Sequence, residues 1–416
     1  MLEVLLYDRL VGTLESRGRG VRFSYAKSAV ADAAVPPISL ALPKREEPYS
    51  DAESGPFFRN LLPEAAFGFL VAAAVGQPSE NEFALLGAIG RECPGAISIW
   101  PRGERPDDPP VWDLLSASDW DTLFSRSDRR RLASAHKRAR LTLAGAQEKV
   151  ALLRDGAGNW SLPLNGAVTT HILKPVTGEF EYLLENEVYC MLLAEAAGLG
   201  VASVDIAGAT ERVFCTGRFD RMERDGSVLR LHQEDFCQAL AVDPSDKYEH
   251  DGGPGIERCA QTIRQHSAEP ELDLDRLVRW VGFNYLVGNE DAHGKNLALL
   301  YLPAGTRLAP FYDIVSTEVY PGLERGMSMQ IGTTWSVRNV QAADWQRFAG
   351  QVGLPLGVVR DVLAGLIDQV EAAVPQAAER AESLCGPAPA YAAIGRIVKA
   401  RLAQLGGELA RVVPTR

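Results

Sequence analysis

The sequence predicts an α+β protein of two lobes: a small β-rich N-terminal subdomain, strands gathered around one helix, and an all-helical C-lobe. Three observations predict it. Short apolar or aromatic runs broken by turn residues fill residues 1–50 and return between 149 and 219. From Leu274 onward, apolar residues recur mainly at helical spacing. Between these regions, Phe283–Asp313 runs from an apolar segment into the polar knot Gly288–Asn296, then through a hairpin to an aspartate.

The elements follow in order. Val4–Tyr7, Val11–Leu14 and Val21–Tyr25 read as strands, and Pro36–Pro43 is extended. Phe57, Phe58, Leu61, Leu62, Phe67, Phe69 and Leu70 fit one or two short helices, the second opened by Pro63-Glu64. Asn81–Leu86 is a further helix, Cys93–Trp100 a strand, and Arg102–Pro110 a linker. Asp119–Ala135 has helical spacing. Its charges, with the basic groups Arg129–Arg131 and His136–Arg138, are expected on a solvated face.

Lys149–Leu153 and Trp160–Leu164 form a hairpin about an Asp-Gly-rich turn, and Thr169–Leu173 is a third strand. Glu179–Ala197 is an amphipathic helix that Gly198 closes. Ala202–Ile206, Val213–Phe219 and Leu229–Leu231 are strand-like, and Glu234–Leu240 begins a helix. Asp243–Gly255 is the most loop-like stretch, expected to be mobile and functional. Leu274–Val287, Ala342–Val352, Leu356–Ala373 and Ala390–Val412 are helices. The expected domains are 1–105, 106–220 and 221–416.

Composition narrows the function classes. The 416 residues hold 43 basic and 54 acidic side chains, a net charge of −11, which argues against a general phosphate-backbone binder. The six cysteines form no C-x-x-C pair, so neither a zinc site nor a disulfide framework is expected, and a reducing compartment is. No long apolar run suggests a signal peptide or a membrane span. A cytoplasmic protein is expected.

The chemistry is concentrated in a few positions. Asp291 and Asn296 stand five residues apart on one loop, and the hairpin carries Asp313 back toward them. Phosphoryl transfer needs one carboxylate to take a hydroxyl proton, and an amide and a second carboxylate to hold Mg²⁺. It also needs phosphates cradled and charge neutralised. The turn Leu143–Gln147, with Gly145, suits backbone N–H contact with phosphate. Lys174, ending the third strand, suits a fixed positive charge. Glu187 on the following helix, with Glu185 as the lesser candidate, suits the carboxylate that orients it. Each part alone is a weak signal; their order is that of a protein kinase. A metal-dependent hydrolase built on Asp291, His293 and Asp313, with His250 and Asp251, lacks a closed ligand set.

The chain also resembles the HipA family of bacterial serine/threonine kinase toxins. The matching stretches are LAGAQEKVALL (143–153), THILKP (170–175), RFDR (218–221), HQEDFCQAL (232–240), KYEHDGGPG (247–255), GNEDAHGKN (288–296) and PFYDIVS (310–316), with FFRNLLPE (57–64) near the N-terminus. The resemblance implies a two-lobed protein-kinase-like fold and Mg·ATP-dependent phosphorylation of protein serines. It implies an aminoacyl-tRNA synthetase of the glutamyl type as substrate, growth arrest and persistence as outcome, and a HipB-like helix-turn-helix antitoxin as partner on operator DNA. The alternative is a catalytically weak corepressor acting with that antitoxin.

By the same resemblance Asp291 is the catalytic base, and Asn296 and Asp313 the metal ligands. Ala144, Gly145, Ala146 and Gln147 form the phosphate loop, and Lys174 meets the ATP phosphates. Thr216, Gly217 and Phe219 hold adenine, and Asp220 meets the ribose. His293 and Lys295 complete the nucleotide-side loop, His293 as an ordering group rather than a proton carrier. Thr142 stands where the family autophosphorylates a serine, and Gly217 where it often has glutamate. Threonine keeps the hydroxyl, and adenine contacts at such a hinge are largely backbone.

Overall fold

The structure, a computed structural model, describes residues 1–18, 20–104, 109–125, 130–176, 178, 180–208, 210–323 and 326–412. Several sequence expectations fall partly outside them: the middle of the linker with the 105/106 boundary, residues 126–128 of the expected Asp119–Ala135 helix, Arg129 of the basic cluster, and Glu179 at a helix start. The chain divides into two compact units, Met1–Thr177 with Ala207–Ser245, and Gly178–Ile206 with Asp246–Arg416. This partition differs from the three consecutive segments expected.

In the first unit, β1 (Leu2–Leu6), β2 (Arg9–Arg17), β3 (Gly20–Tyr25) and β4 (Ile97–Pro101) form an antiparallel sheet in the order β3-β2-β1-β4. Tyr7 and Asp8 turn the first hairpin with φ of 52° and 61°, the positive pair that a tight primed turn requires. Val4, Leu14 and Phe23 are fully buried beneath helices α1 (Lys27–Ala31), α2 (Asp51–Arg59), α3 (Ala65–Val75) and α4 (Glu82–Ile89). Ser50 and Glu53 cap α2 reciprocally.

The second sheet of this unit contains β5 (Val111–Leu114), β6 (Val150–Arg154), β7 (Trp160–Leu164) and β8 (His171–Lys174). After β9 (Val204–Ala207), it continues with β10 (Val213–Gly217). The strands run β5-β7-β6-β8-β10, each neighbouring pair antiparallel, with Lys174 opposite Phe214. Helices α5 (Ala117–Phe124) and α6 (Arg130–Ala139) lie beside it. One expectation for α6 is corrected here. Arg130 and Lys137 are exposed, but His136 is completely buried and points its ring inward.

A buried charge network ties the two sheets together. Glu92, 1% exposed, accepts from Arg218 (3.2 Å), Arg221 (2.7 Å) and Arg230 (2.8 Å). Burial alone would raise the Glu92 carboxyl; the three guanidiniums overcome it and hold the group well below the usual range. The unit closes with the ribbon β11 (Arg221–Arg224) and β12 (Ser227–Arg230), the short β13 (His232–Asp235) and helix α8 (Phe236–Ala239).

The second unit is built on α7 (Leu183–Ala196), whose residues from Asn186 to Ala194 are all buried. It packs on α12 (Leu356–Cys385) and α13 (Pro389–Arg411), with α9 (Ile256–His266), α10 (Pro270–Val287) and α11 (Ala342–Val352) around them. This explains why the structure groups α7 with the helical half. Helix α12 continues past Pro375, beyond the expected end at Ala373. Its buried stripe Val359, Leu363, Leu366, Val370, Ala373, Ala377 and Ala381 keeps helical spacing across the proline, and tertiary packing outweighs the lost N–H. The hairpin β14 (Ala298–Leu302) and β15 (Gly305–Leu308) makes this half mainly, rather than wholly, helical.

Candidate active site

Gly288, at φ 68°, ends α10 in the left-handed conformation that lets the chain turn into residues 289–296. From Asn289 to Asn296 this loop is buried except at Asp291, which is exposed, and Ala292, which is half-buried. A carboxylate is thus presented on a rigid support. Asn289 fixes its position: its Oδ1 accepts from the Asp291 N–H (3.1 Å), while its amide donates to Asn284 Oδ1 (2.8 Å). The Tyr248 hydroxyl donates to Asp291 Oδ1 at 3.1 Å.

Tyr248 comes from the 243–255 stretch, expected as a mobile loop. Its residues 246–255, which lie in the second unit, are stitched down there instead. Glu249 N–H donates to Ser328 O, and the Ser328 hydroxyl donates to Glu290 O (2.8 Å). Glu249 Oε2 accepts from Gln330 N–H (2.6 Å). The Tyr248 ring packs edge-on against His293. A side chain at Gly294 would meet Pro254 at 2.7 Å, so glycine there permits the close approach.

Asn296 Oδ1 accepts from the His293 N–H (3.0 Å), and its amide donates to Asp313 Oδ2 (3.2 Å). Asp313 adopts φ 60°, an unfavourable conformation for a non-glycine residue. The hairpin that delivers it is anchored by Asp273, whose side chain is fully buried. Asp273 accepts from Arg307 (3.0 Å), Arg276 (3.1 Å), Ser267 (2.6 Å) and the Leu308 N–H (2.9 Å). The Lys295 side chain is buried, and its carbonyl accepts from Tyr312 (2.6 Å). An amide and a carboxylate in contact are hard oxygen donors of the kind that holds Mg²⁺ together with nucleotide phosphates and water. Asn296 and Asp313 therefore fit that ion.

The first unit holds the other parts. Gly145 has φ 104°, and Lys149 Nζ lies 2.8 Å from where its Cβ would be, bringing an ammonium over the turn Ala144–Gln147. Gly145 O accepts from Glu64 N–H (3.0 Å) at the start of α3. His136 grips both ends of this turn, its ring nitrogens 3.0 Å from Leu141 O and 2.7 Å from Lys149 O. Burial lowers its imidazole to about 4, against the pull of the two carbonyls. Thr142 is fully buried, and its hydroxyl donates to Leu61 O.

Lys174 is 6% exposed at the end of β8, its ammonium 5.3 Å from the Phe214 ring centroid. Thr216 Oγ1, near the end of β10, is buried with no hydrogen-bond partner among the described residues. Gly217 and Phe219 are half-buried. Asp220, expected at the ribose, is corrected: it is buried, and its carboxylate is committed to Arg218 (2.8 Å), Arg221 (3.1 Å) and the Gly95 N–H (2.6 Å). Glu187 is buried on α7 in the second unit. Tyr248, Asn289, Lys149 and Asp273 were not singled out from sequence, and His136 was named only as part of a basic surface group. Tyr248, Asn289 and Lys149 nonetheless lie inside the motif stretches quoted above.

An exposed aspartate on a buried loop, an asparagine five residues on, and a hairpin returning a second aspartate to that asparagine make the arrangement with which protein kinases take a hydroxyl proton and hold Mg²⁺. The comparisons agree. Residues 2–100 match the HipA N-terminal domain and residues 141–378 the HipA-like C-terminal domain. The chain is 39% identical over 394 residues to "Putative kinase Y4mE" of Sinorhizobium fredii, covering 92% of this chain and 93% of that one. It is 29% identical over 408 residues to the serine/threonine-protein kinase toxin HipA of Shewanella oneidensis, covering 90% and 88%. The solved complex of Shewanella oneidensis MR-1 HipA with HipB and operator DNA matches with a TM-score of 0.84 at 26% identity over the full length of both chains. The chain belongs to the HipA family and is a serine/threonine-protein kinase of that family.

Proposed function

We propose that the protein is an ATP- and Mg²⁺-dependent kinase acting as the toxin of a toxin–antitoxin pair in the cytoplasm, and that it phosphorylates an aminoacyl-tRNA synthetase of the glutamyl type. The observation that carries the catalytic part is the fixed, exposed carboxylate of Asp291. Asp291 accepts the proton of a substrate serine or threonine hydroxyl as that oxygen bonds to the γ-phosphorus and the bond to the ADP oxygen breaks. Tyr248 and Asn289 hold the carboxylate in place. Asn296 and Asp313 would hold Mg²⁺, which supplies charge neutralisation on the phosphates when bound. Lys174 and Lys149 set positive charge for the phosphates, and Glu187 orients Lys174. The turn Ala144–Gln147 offers backbone N–H groups, and Thr216, Gly217 and Phe219 take the adenine. The unpartnered Thr216 hydroxyl supports that assignment.

Thr142 is the proposed self-inactivation site. Its hydroxyl faces Leu61 O and is fully buried, so phosphorylation requires residues 141–149 to leave their seat. A phosphate of about 1.5–2 negative charges cannot return to that seat unpaired, which keeps the turn displaced. The partner is a HipB-like helix-turn-helix antitoxin. With a net charge of −11, the kinase reaches operator DNA through that partner rather than by itself. No single helix among the described residues is long and apolar enough to cross a membrane.

Radiolabelled ATP in a host lysate, wild type against Asp291→Asn, tests the reading. A labelled synthetase band seen only with wild type is expected. A different labelled band overturns the substrate, and equal labelling by the variant overturns the role of Asp291.

A further inference from the structure

We propose that the second unit carries a further binding site, for a small amphipathic anion, directly beneath the start of the catalytic loop. A cavity of about 520 Å³ opens between the turn Thr317–Val319, the turn Val337–Asn339 and one face of α13. It is open to solvent over much of its extent, a groove with the volume of a small molecule. Val319, Ala393 and Ile397 give it apolar walls.

Its charge is unbalanced. Glu318 accepts from Arg401 (2.9 Å) and Arg338 (3.0 Å). Arg396, exposed on the rim, makes no ion pair among the described residues. Three guanidiniums thus face one carboxylate, a local excess of two positive charges on a chain whose net charge is −11. Guanidinium forks pair with phosphate or carboxylate through parallel hydrogen bonds. The ligand class is therefore an apolar, ring-sized body bearing one phosphate or carboxylate.

The turn Thr317–Val319 that lines the cavity is bonded to the catalytic loop's backbone. Gly288 O accepts from Glu318 N–H (3.0 Å) and from the Thr317 hydroxyl (3.1 Å), and Thr317 Oγ1 accepts from Glu290 N–H (2.8 Å). A Cβ on Gly288 would lie 2.8 Å from Glu318 Oε2 and 3.3 Å from Ile397 Cγ2. An anion that draws Arg338 or Arg401 from Glu318 therefore acts on residues 288–290, next to Asp291. This second, regulatory step rests on the reading of Asp291 as the catalytic base; the binding step does not.

The test titrates 1-naphthyl phosphate, 1-naphthoate, 1-naphthol and inorganic phosphate into the full-length protein by calorimetry, with a non-hydrolysable ATP analogue saturating. One equivalent of a naphthyl anion is expected to bind, at least about tenfold more tightly than naphthol or phosphate. Preference for the phosphate or the carboxylate identifies the head group. Arg396→Glu should weaken binding at least about tenfold and Arg396→Lys much less, with unfolding midpoints showing both variants folded. Unchanged affinity in Arg396→Glu, equal binding of naphthol, or no binding beside the ATP analogue overturns the site. The tighter-binding probe should also change the rate of phosphate transfer in wild type and not in Arg396→Glu. Binding without a change in rate overturns the regulatory step alone. Absence of transfer under all conditions counts against the kinase reading and leaves the binding result standing.

Discussion

At the residue scale, Asp291 and Asp313 are separable by substitution. Asp291→Asn keeps the shape of the loop and removes the proposed base, so transfer should fall by about 10²–10⁴-fold with Mg·ATP affinity nearly unchanged. Asp313→Asn removes a charge from the proposed metal site and should weaken Mg·ATP binding, measurable by calorimetry. Equal Mg·ATP affinity in the two variants would contradict that division of labour. Tyr248→Phe removes one hydrogen bond to Asp291, worth about 1 kcal/mol, and should slow transfer about fivefold without loss of stability. Asp291 and Asn296 were legible because their spacing is local, and Asp313 because a hairpin joins it to them. Tyr248 lies more than forty residues earlier in the chain, and its contact exists only once the fold is made. Asp220 was misplaced for the same reason: the arginines and the Gly95 N–H that consume it are set by tertiary structure.

At the element scale, the hairpin β14–β15 depends on one buried carboxylate. Asp273 sits under two arginines and the Leu308 N–H with its side chain wholly buried. Asp273→Ala should cost roughly 3–5 kcal/mol in chemical denaturation, because Arg276 loses its carboxylate, Arg307 keeps only Glu269, and the Leu308 N–H loses its acceptor. A loss below about 1 kcal/mol would show that Asp273 is not the anchor. Most strands and helices were legible from alternation and helical spacing, including all three strands of the first fifty residues. The exceptions are instructive. α12 outruns Pro375 because its buried stripe continues beyond it. His136 left the solvated face expected of its basic neighbours because two backbone carbonyls receive its ring. The 243–255 stretch has the composition of a mobile loop, yet Glu249 and Tyr248 secure it through partners far away in sequence.

At the scale of the whole molecule, stability should depend on pH before the carboxylates titrate. His136 and His232 are both completely buried, and burial lowers each imidazole to about 4. In the unfolded chain each titrates near 6.5. Between those values the unfolded state binds more protons than the folded one, so acidification favours unfolding. The stabilisation is complete above about 6.5 and is lost as pH falls toward about 4, at up to about 1.4 kcal/mol per pH unit for each histidine. Glu92, Asp220 and Asp273 are held below their ordinary values. Their contribution is present above the ordinary carboxylate range and is lost only below it, in a separate and lower window. Denaturant midpoints measured at intervals from pH 7.5 to 4.5 should therefore decline steadily. His232→Asn should flatten the decline by about half, since one of the two protons is removed. A flat profile to pH 5 in the wild type would mean that the histidines titrate normally and that water reaches them in the folded chain.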